Sequence, residues 1–71
     1  MSQIDENENF DTGYHRVDVQ VQTASGYWTT VRTINYVNDQ YIYRQLEFVK
    51  NSKPRSGVRA MYNGQIIGIL P

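Results

Sequence analysis

The feature that constrains this chain most is a short run in which valine alternates with polar residues. Val17, Val19 and Val21 occupy every second position, with charged or amide side chains between them. Successive side chains of a β-strand point to opposite faces of the sheet, so this period of two predicts a strand from Tyr14 to Gln22 with one apolar face. Another element must cover that face, and the chain of 71 residues has to provide it.

A second β-rich run, residues 27–34, follows the short segment Ala24-Ser25-Gly26. We expect a three-residue hairpin loop, because such loops commonly end in the left-handed conformation that glycine adopts easily. This loop sets Val19 opposite Val31, whereas a two-residue loop would set Val19 opposite Arg32 and bury the arginine. The prediction therefore places Tyr27, Thr29, Val31 and Thr33 on the valine face, and Trp28, Thr30 and Arg32 on the other.

One helix is predicted next, over residues 39–51. Ile42, Leu46 and Val49 recur at the spacing that places apolar side chains on one helical stripe. Asn38 or Asp39 can accept hydrogen bonds from the free amides of the first turn. The helix should end before Pro54, because proline disfavours helical backbone in the residue that precedes it.

The pair Asn63-Gly64 predicts a second hairpin between residues 57 and 70. A two-residue turn of this kind needs positive φ at both central residues, which asparagine and glycine tolerate best. The expected pairs are 62 with 65, 60 with 67, and 58 with 69. One face then carries Val58, Ala60, Tyr62, Ile67 and Ile69, the better set for a core, and the other face carries Arg59, Met61, Ile66 and Gly68.

Together these elements predict an α+β domain of two layers with the order ββαββ, in which one helix covers one face of an antiparallel sheet made of two hairpins. The domain spans residues 12–71. Residues 1–11 lack periodicity and are predicted to form a disordered acidic arm. The sequence leaves the order of the strands in the sheet open.

The charges are divided unevenly along the chain. Residues 1–11 contain four acids and no base, so residues 12–71 hold seven bases against three acids. Four of these bases, Lys50, Lys53, Arg55 and Arg59, fall within ten residues. This basic segment is either an ordinary solvated helix end and loop or a patch that binds nucleic acid or an acidic partner.

The sheet face away from the helix carries the candidate interaction surface. The predicted pattern places Trp28, Arg32, Arg59, Met61 and Ile66 there, a mixture of aromatic, arginine and methionine residues that is typical of contact surfaces. Three interpretations are open. Trp28 packs against the N-terminal arm or the region of Tyr14 and the rest of the face is solvated, single-stranded nucleic acid stacks on Trp28, or the face makes a protein contact. We favour the last, most simply a homodimer, with an unidentified protein partner as the other form of this hypothesis.

The sequence offers little for catalysis or for holding a metal or cofactor. It has no cysteine and a single histidine, His15, so a zinc site lacks ligands. No spacing brings His15 to a serine nucleophile, and Asp18, Asp39 and Glu47 are predicted on separate elements. Asp5-x-Asn7-x-Asn9 resembles the start of a calcium loop, but the required glycine and final glutamate are replaced by Phe10 and Arg16. We expect no enzyme and no cofactor.

The chain has no long apolar segment, and its first residues are acidic and polar, unlike those of a signal peptide. The absence of cysteine also differs from the disulfide-rich small domains that are secreted. We therefore expect a cytoplasmic protein with no membrane partner.

Three pieces of the chain carry a resemblance to other small proteins. These are Tyr27-Trp28-Thr29-Thr30-Val31, then Gly57-Val58-Arg59, and the hairpin Asn63-Gly64-Gln65-Ile66-Ile67 after a single capped helix. The layout over about residues 14–70 resembles that of small uncharacterised ββαββ proteins carried by phages and other mobile elements. The resemblance implies an accessory or host-interacting role and carries no activity or site residue with it.

Overall fold

A computed structural model describes residues 15–71. The elements along the chain are β1 (Arg16–Gln22), β2 (Trp28–Asn35), α1 (Asp39–Ser52), β3 (Val58–Tyr62) and β4 (Gln65–Leu70). The four strands form one antiparallel sheet in the order β2-β1-β3-β4. This confirms the ββαββ α+β fold and adds the strand order, in which β1 lies between its hairpin partner and β3. The predicted arm, residues 1–11, lies outside the described residues.

The core lies between α1 and one face of the sheet. Each strand of the central pair contributes alternate residues, and α1 contributes the predicted stripe. The fully or almost fully buried residues are Val17, Val19, Val21, Ile42, Leu46, Val49, Val58 and Ala60. Because no polar side chain among the described residues is buried with them, burial of apolar area holds the two layers together.

Helix α1 begins and ends as the sequence indicates. Asn38 Oδ1 accepts a hydrogen bond of 2.7 Å from the Tyr41 amide, which satisfies one free donor of the first turn. Lys53 follows the last turn, and its amide donates to the carbonyl oxygens of Val49 and Lys50. Within residues 15–71, no helix is long and apolar enough to cross a membrane.

The β1–β2 hairpin has the predicted loop but a different register farther from it. The Thr23 amide donates to the Tyr27 carbonyl oxygen, which leaves a three-residue loop that ends on Gly26 with φ +91°. Val21 pairs with Thr29 as predicted. A β-bulge then leaves Val31 without a partner, so that Val19 faces Arg32 and Val17 faces Ile34.

The bulge corrects the predicted faces of β2. The prediction that Arg32 lies on the sheet face away from α1 is wrong, and Thr33, which pairs with Asp18, lies on that face instead of the valine face. The physical gain is that Ile34 packs against the core, while the long Arg32 side chain reaches the edge of α1 and keeps its charge in solvent.

The β3–β4 hairpin also contains a bulge. Tyr62 pairs with Gln65 as predicted, and Asn63 and Gly64 both have positive φ. Beyond Met61 the register moves by one residue, so that Gly68 instead of Ile67 lies opposite Ala60. The core face thus receives Gly68, and the prediction that Ile69 belongs to the core is wrong, since it pairs with Arg59 and is 46% exposed.

Candidate interaction surface

The face of the sheet opposite α1 is the candidate site, and we call it the outer face. Residues of β1 that alternate with the buried valines point to it, and the strand pairing extends it across all four strands. Among residues 15–71, no helix or strand packs on this face. Its side chains divide into an aromatic–arginine pair, a polar network and an apolar strip.

The aromatic–arginine pair consists of Trp28 and Arg59. The guanidinium carbon of Arg59 lies 4.2 Å from the centroid of the indole ring. The far edge of the ring lies over Gly57, where an added Cβ would be only 3.3 Å from Trp28 Cη2. Gly57 therefore lets the indole of β2 reach across β1 to the beginning of β3, and Arg59 holds one face of the ring by a cation–π contact.

The polar network fixes the position of Arg59. Arg59 Nε donates a hydrogen bond of 2.8 Å to Gln20 Oε1, and Gln20 Nε2 donates one of 3.2 Å to Thr30 Oγ1. A neighbouring row is centred on Asp18, which accepts from Arg16 Nε at 3.1 Å and from Thr33 Oγ1 at 3.2 Å. The β1–β2 half of the outer face is thus occupied by side chains that satisfy one another.

The apolar strip lies on the β3–β4 half. Met61 pairs with Ile66, and Ile69 pairs with Arg59, so the three apolar side chains lie on neighbouring rows. Ile66 is 53% exposed, Ile69 is 46% exposed and Met61 is half-buried. Ile69 was missed from the sequence because the bulge at Ile67 moves it from the core to the outer face.

The structure brings together four of the five residues proposed for the interaction surface. Trp28, Arg59, Met61 and Ile66 share the outer face, and Ile69 joins them. Arg32 is separated from them by the sheet, because it lies on the helix side in contact with α1.

The basic segment does not converge on one surface. Lys50 Nζ donates to the carbonyl oxygens of Ser56 and Pro71, at 2.6 and 2.8 Å, and so ties the end of α1 to the loop and to the end of β4. Arg59 lies on the outer face of the sheet. Lys53 and Arg55 are exposed in the connection between α1 and β3.

The residues considered for catalysis are also separated. Asp18 lies on the outer face, Asp39 and Glu47 lie on α1, and His15 lies just before β1. The hydroxyl of Tyr62 is 3.4 Å from His15 Nδ1, while Ser25 lies in the hairpin loop at the other end of β1. No cluster of potential metal ligands occurs in the part of the chain that the structure describes.

One side chain near His15 has a perturbed titration. The Tyr36 hydroxyl donates a hydrogen bond of 2.8 Å to Asp39 Oδ1 and its ring stacks on Tyr62, with centroids 5.8 Å apart. The hydrogen bond to Asp39 raises the pKa of Tyr36 above its ordinary value of 10.0, and desolvation and the charge of Asp39 act in the same direction. The tyrosine thus keeps the proton that it donates to Asp39 at neutral pH. This hydrogen bond joins the β2–α1 connection to the first turn of the helix.

Comparisons with family models, with curated proteins and with solved structures find no match to this chain. We therefore base the function of the protein on the geometry of the outer face. The resemblance to small proteins of phages and mobile elements remains a prediction from the three sequence pieces alone.

Proposed function

We propose that this protein is a non-enzymatic interaction protein that forms a homodimer through the outer face of its sheet. The observation that carries the proposal is the apolar strip of Met61, Ile66 and Ile69 beside the Trp28–Arg59 pair, uncovered by any described element. Aromatic, methionine and arginine side chains are the types enriched where proteins meet. The strip gives the dimer an apolar centre, and the polar network gives it a rim.

The outer face fits self-association better than the sheet edges do. In a two-fold dimer the same patch is used by both copies, so the apolar strip of one chain would pack on that of the other. The two edge strands of the described sheet, β2 and β4, each contain a bulge, at Val31 and at Ile67. Bulges interrupt the regular backbone pairing that an edge-to-edge dimer needs.

The size of the chain supplies a thermodynamic reason for association. Within residues 15–71, eight buried hydrophobic residues form the core, and domains of this size bury a smaller share of their surface than larger ones do. Burying additional apolar area between two copies stabilises the folded state through the association equilibrium. An unidentified protein that covers the same face is the other form of this proposal.

We prefer self-association to nucleic-acid binding because of where the basic residues lie. A nucleic-acid site needs cations that line one path along the phosphates. Lys50 is used by two carbonyl oxygens, and Arg59 lies over Trp28 on the outer face. We also propose a cytoplasmic location, because a small domain without cysteine suits a reducing compartment. The proposed role is an accessory one, of the kind that the resemblance implies.

Analytical ultracentrifugation of the full chain over a wide range of concentration tests the proposal. We expect a concentration-dependent dimer. Ile66→Glu places a charge in the apolar strip and should give a monomer with an unchanged circular dichroism spectrum. Val37→Glu is the matched control, because Val37 is 62% exposed on the β2–α1 connection and should leave the dimer intact.

Two results would contradict the proposal. A wild-type chain that stays monomeric at the highest concentration reached would exclude self-association. If the Ile66→Glu variant forms a dimer as stable as that of wild type, the outer face is excluded as the dimer interface.

A further inference from the structure

A second arginine covers an aromatic ring on the helix side of the molecule. The guanidinium carbon of Arg32 lies 4.9 Å from the centroid of the Phe48 ring. Arg32 Nη1 also donates a hydrogen bond of 2.9 Å to Gln45 Oε1. Gln45 and Phe48 are neighbours on the same flank of α1, the flank that is next to β2. We call Arg32, Gln45 and Phe48 the helix-side site.

The helix-side site is open to solvent although its centre is apolar. Phe48 is 59% exposed, whereas Leu46 and Val49 on the adjoining stripe of α1 are buried. Helix α1 packs mainly on β3 and β4, so β2 is left largely uncovered beside it. Val31, the bulged residue next to Arg32, is 44% exposed. An apolar surface of this kind with one charged group is typical of a contact site.

The charge of Arg32 has no carboxylate opposite it within residues 15–71. The ion pair of the described residues joins Arg16 to Asp18 on the outer face. The partner of Arg32 is the neutral amide of Gln45, which uses one nitrogen of the guanidinium and leaves other N–H donors of the planar group available. Guanidinium groups match carboxylates in shape and charge, and the two form paired, charge-assisted hydrogen bonds.

We propose that the helix-side site binds an acidic segment of a partner protein. Arg32 holds an aspartate or glutamate carboxylate of that segment, and an adjoining apolar side chain of the segment packs on the exposed edge of Phe48. Gln45 keeps the guanidinium over Phe48, so the cation is already positioned before the segment arrives, which lowers the entropy lost on binding. The whole chain has seven bases and seven acids, so the local charge of Arg32, and not a net charge of the protein, selects the acidic segment.

The geometry favours an acidic peptide over nucleic acid at this site. Single-stranded nucleic acid needs an open aromatic face for stacking and several cations along its backbone. Arg32 covers one face of Phe48 and is the one cation in the helix-side site, so the site lacks the row of cations that a nucleic-acid backbone needs. One carboxylate and one apolar side chain are enough to contact the Arg32 guanidinium and the exposed part of Phe48.

The helix-side site does not depend on the proposed homodimer. It lies on the opposite side of the sheet from the apolar strip, so a partner segment and a second copy do not compete for the same residues. The monomeric variant Ile66→Glu should bind the acidic segment as strongly as wild type. Failure of the dimer and failure of this site are therefore separate results.

Fluorescence anisotropy with a labelled peptide tests the inference on the full-length chain. The probe is a ten-residue peptide in which glutamate alternates with valine, and the control peptide has glutamine in place of each glutamate. We expect the glutamate peptide to bind, and Arg32→Gln to weaken that binding about tenfold, the effect of losing a hydrogen bond to a charged group. Phe48→Ala should weaken it as well, and Arg55→Gln, which removes the same charge from an exposed loop, should not.

Residues 1–11 contain four acids, which carry the same carboxylate group as the probe peptide. A second full-length chain therefore carries the amide substitutions Asp5→Asn, Glu6→Gln, Glu8→Gln and Asp11→Asn. Binding that depends on Arg32 in either chain supports the inference. It is overturned if neither chain binds, if both peptides bind equally, or if Arg32→Gln binds like wild type. A labelled oligothymidylate that displaces the peptide and shows the same dependence on Arg32 would overturn it in favour of nucleic acid.

Discussion

The guanidinium of Arg59 lies 4.2 Å from the ring centroid of Trp28, and this contact connects β3 to β2 across β1, which separates the two strands in the sheet. Trp28 is the only tryptophan, so its fluorescence reports on the outer face. Arg59 Nε donates a hydrogen bond to Gln20 Oε1, which limits the directions in which the guanidinium can move. The pair is thus a fixed feature of the surface that we propose for self-association.

Removal of Arg59 should change both the fluorescence and the stability of the protein. In Arg59→Ala the indole loses the cation that covers one of its faces, so its emission maximum should move to longer wavelength as water reaches the ring. The unfolding free energy should fall by about 0.5–1 kcal/mol, the value of an exposed cation–π contact. Emission spectra and urea unfolding, recorded at a concentration that keeps the chain monomeric, measure both effects. Arg55→Ala should change neither, and an unshifted emission in Arg59→Ala would refute this account of the pair.

A side chain at Gly68 should disturb the packing of α1 on β4. A Cβ at this position would lie 3.1 Å from Leu46 Cδ1 and 3.3 Å from Tyr43 Cζ. Leu46 is fully buried and cannot move freely, so Gly68→Ala should lower the unfolding free energy by about 1 kcal/mol, at the low end for overpacking. Shortening the neighbour in Leu46→Val should reduce that cost, which a double-mutant cycle by urea unfolding measures. Additive effects of the two substitutions would show that the leucine does not limit the space.

Lys50 should contribute to stability more than to binding. Its ammonium group donates to two carbonyl oxygens, those of Ser56 and Pro71, and is partly buried. Lys50→Met keeps much of the apolar stem but removes the ammonium donor, so both oxygens lose their hydrogen bond. We therefore expect a loss of about 1–3 kcal/mol in unfolding free energy. Lys53→Met, at an exposed position, should stay within about 0.5 kcal/mol of wild type. Equal melting temperatures for the two variants would contradict the structural role of Lys50.

The sequence predicted the elements of this fold because each element carries a strong local signal. The alternating valines, the stripe of Ile42, Leu46 and Val49, and the turn at Asn63-Gly64 each depend on neighbouring residues only. Gly26 even indicated the correct loop length for the first hairpin. What the sequence left open was the strand order, since a strand pairing such as β1 with β3 depends on residues that are distant along the chain.

The errors arise at the two bulges, and they explain the error in the candidate site. An extra residue at Val31 or Ile67 moves every later side chain to the other face of the sheet. In each strand the shift improves the packing against α1, by bringing Ile34 to the core in one case and Gly68 under Leu46 in the other. Such a gain depends on the position of the helix, which periodicity does not report. Arg32 was therefore assigned to the wrong face, and Ile69 was missed from the right one.

The hydrogen bond between Tyr36 and Asp39 should make stability depend on pH in the alkaline range. Asp39 raises the pKa of Tyr36 in the folded state above the ordinary value of 10.0. The contribution of Tyr36 is then fully present below the unfolded pKa and is lost as the pH rises through the folded pKa, because the unfolded chain loses its proton first. The difference in unfolding free energy between wild type and Tyr36→Phe should be constant up to about pH 9 and shrink above it.

Urea unfolding of wild type and Tyr36→Phe at a series of pH values measures this difference. Because the two chains are compared at the same pH, contributions that the substitution leaves unchanged cancel in the subtraction. Asp39→Asn removes the charge that opposes ionisation, so Tyr36 should then titrate at lower pH than in wild type. A difference between wild type and Tyr36→Phe that stays constant through the alkaline range would show that Asp39 does not hold the tyrosine in its protonated form.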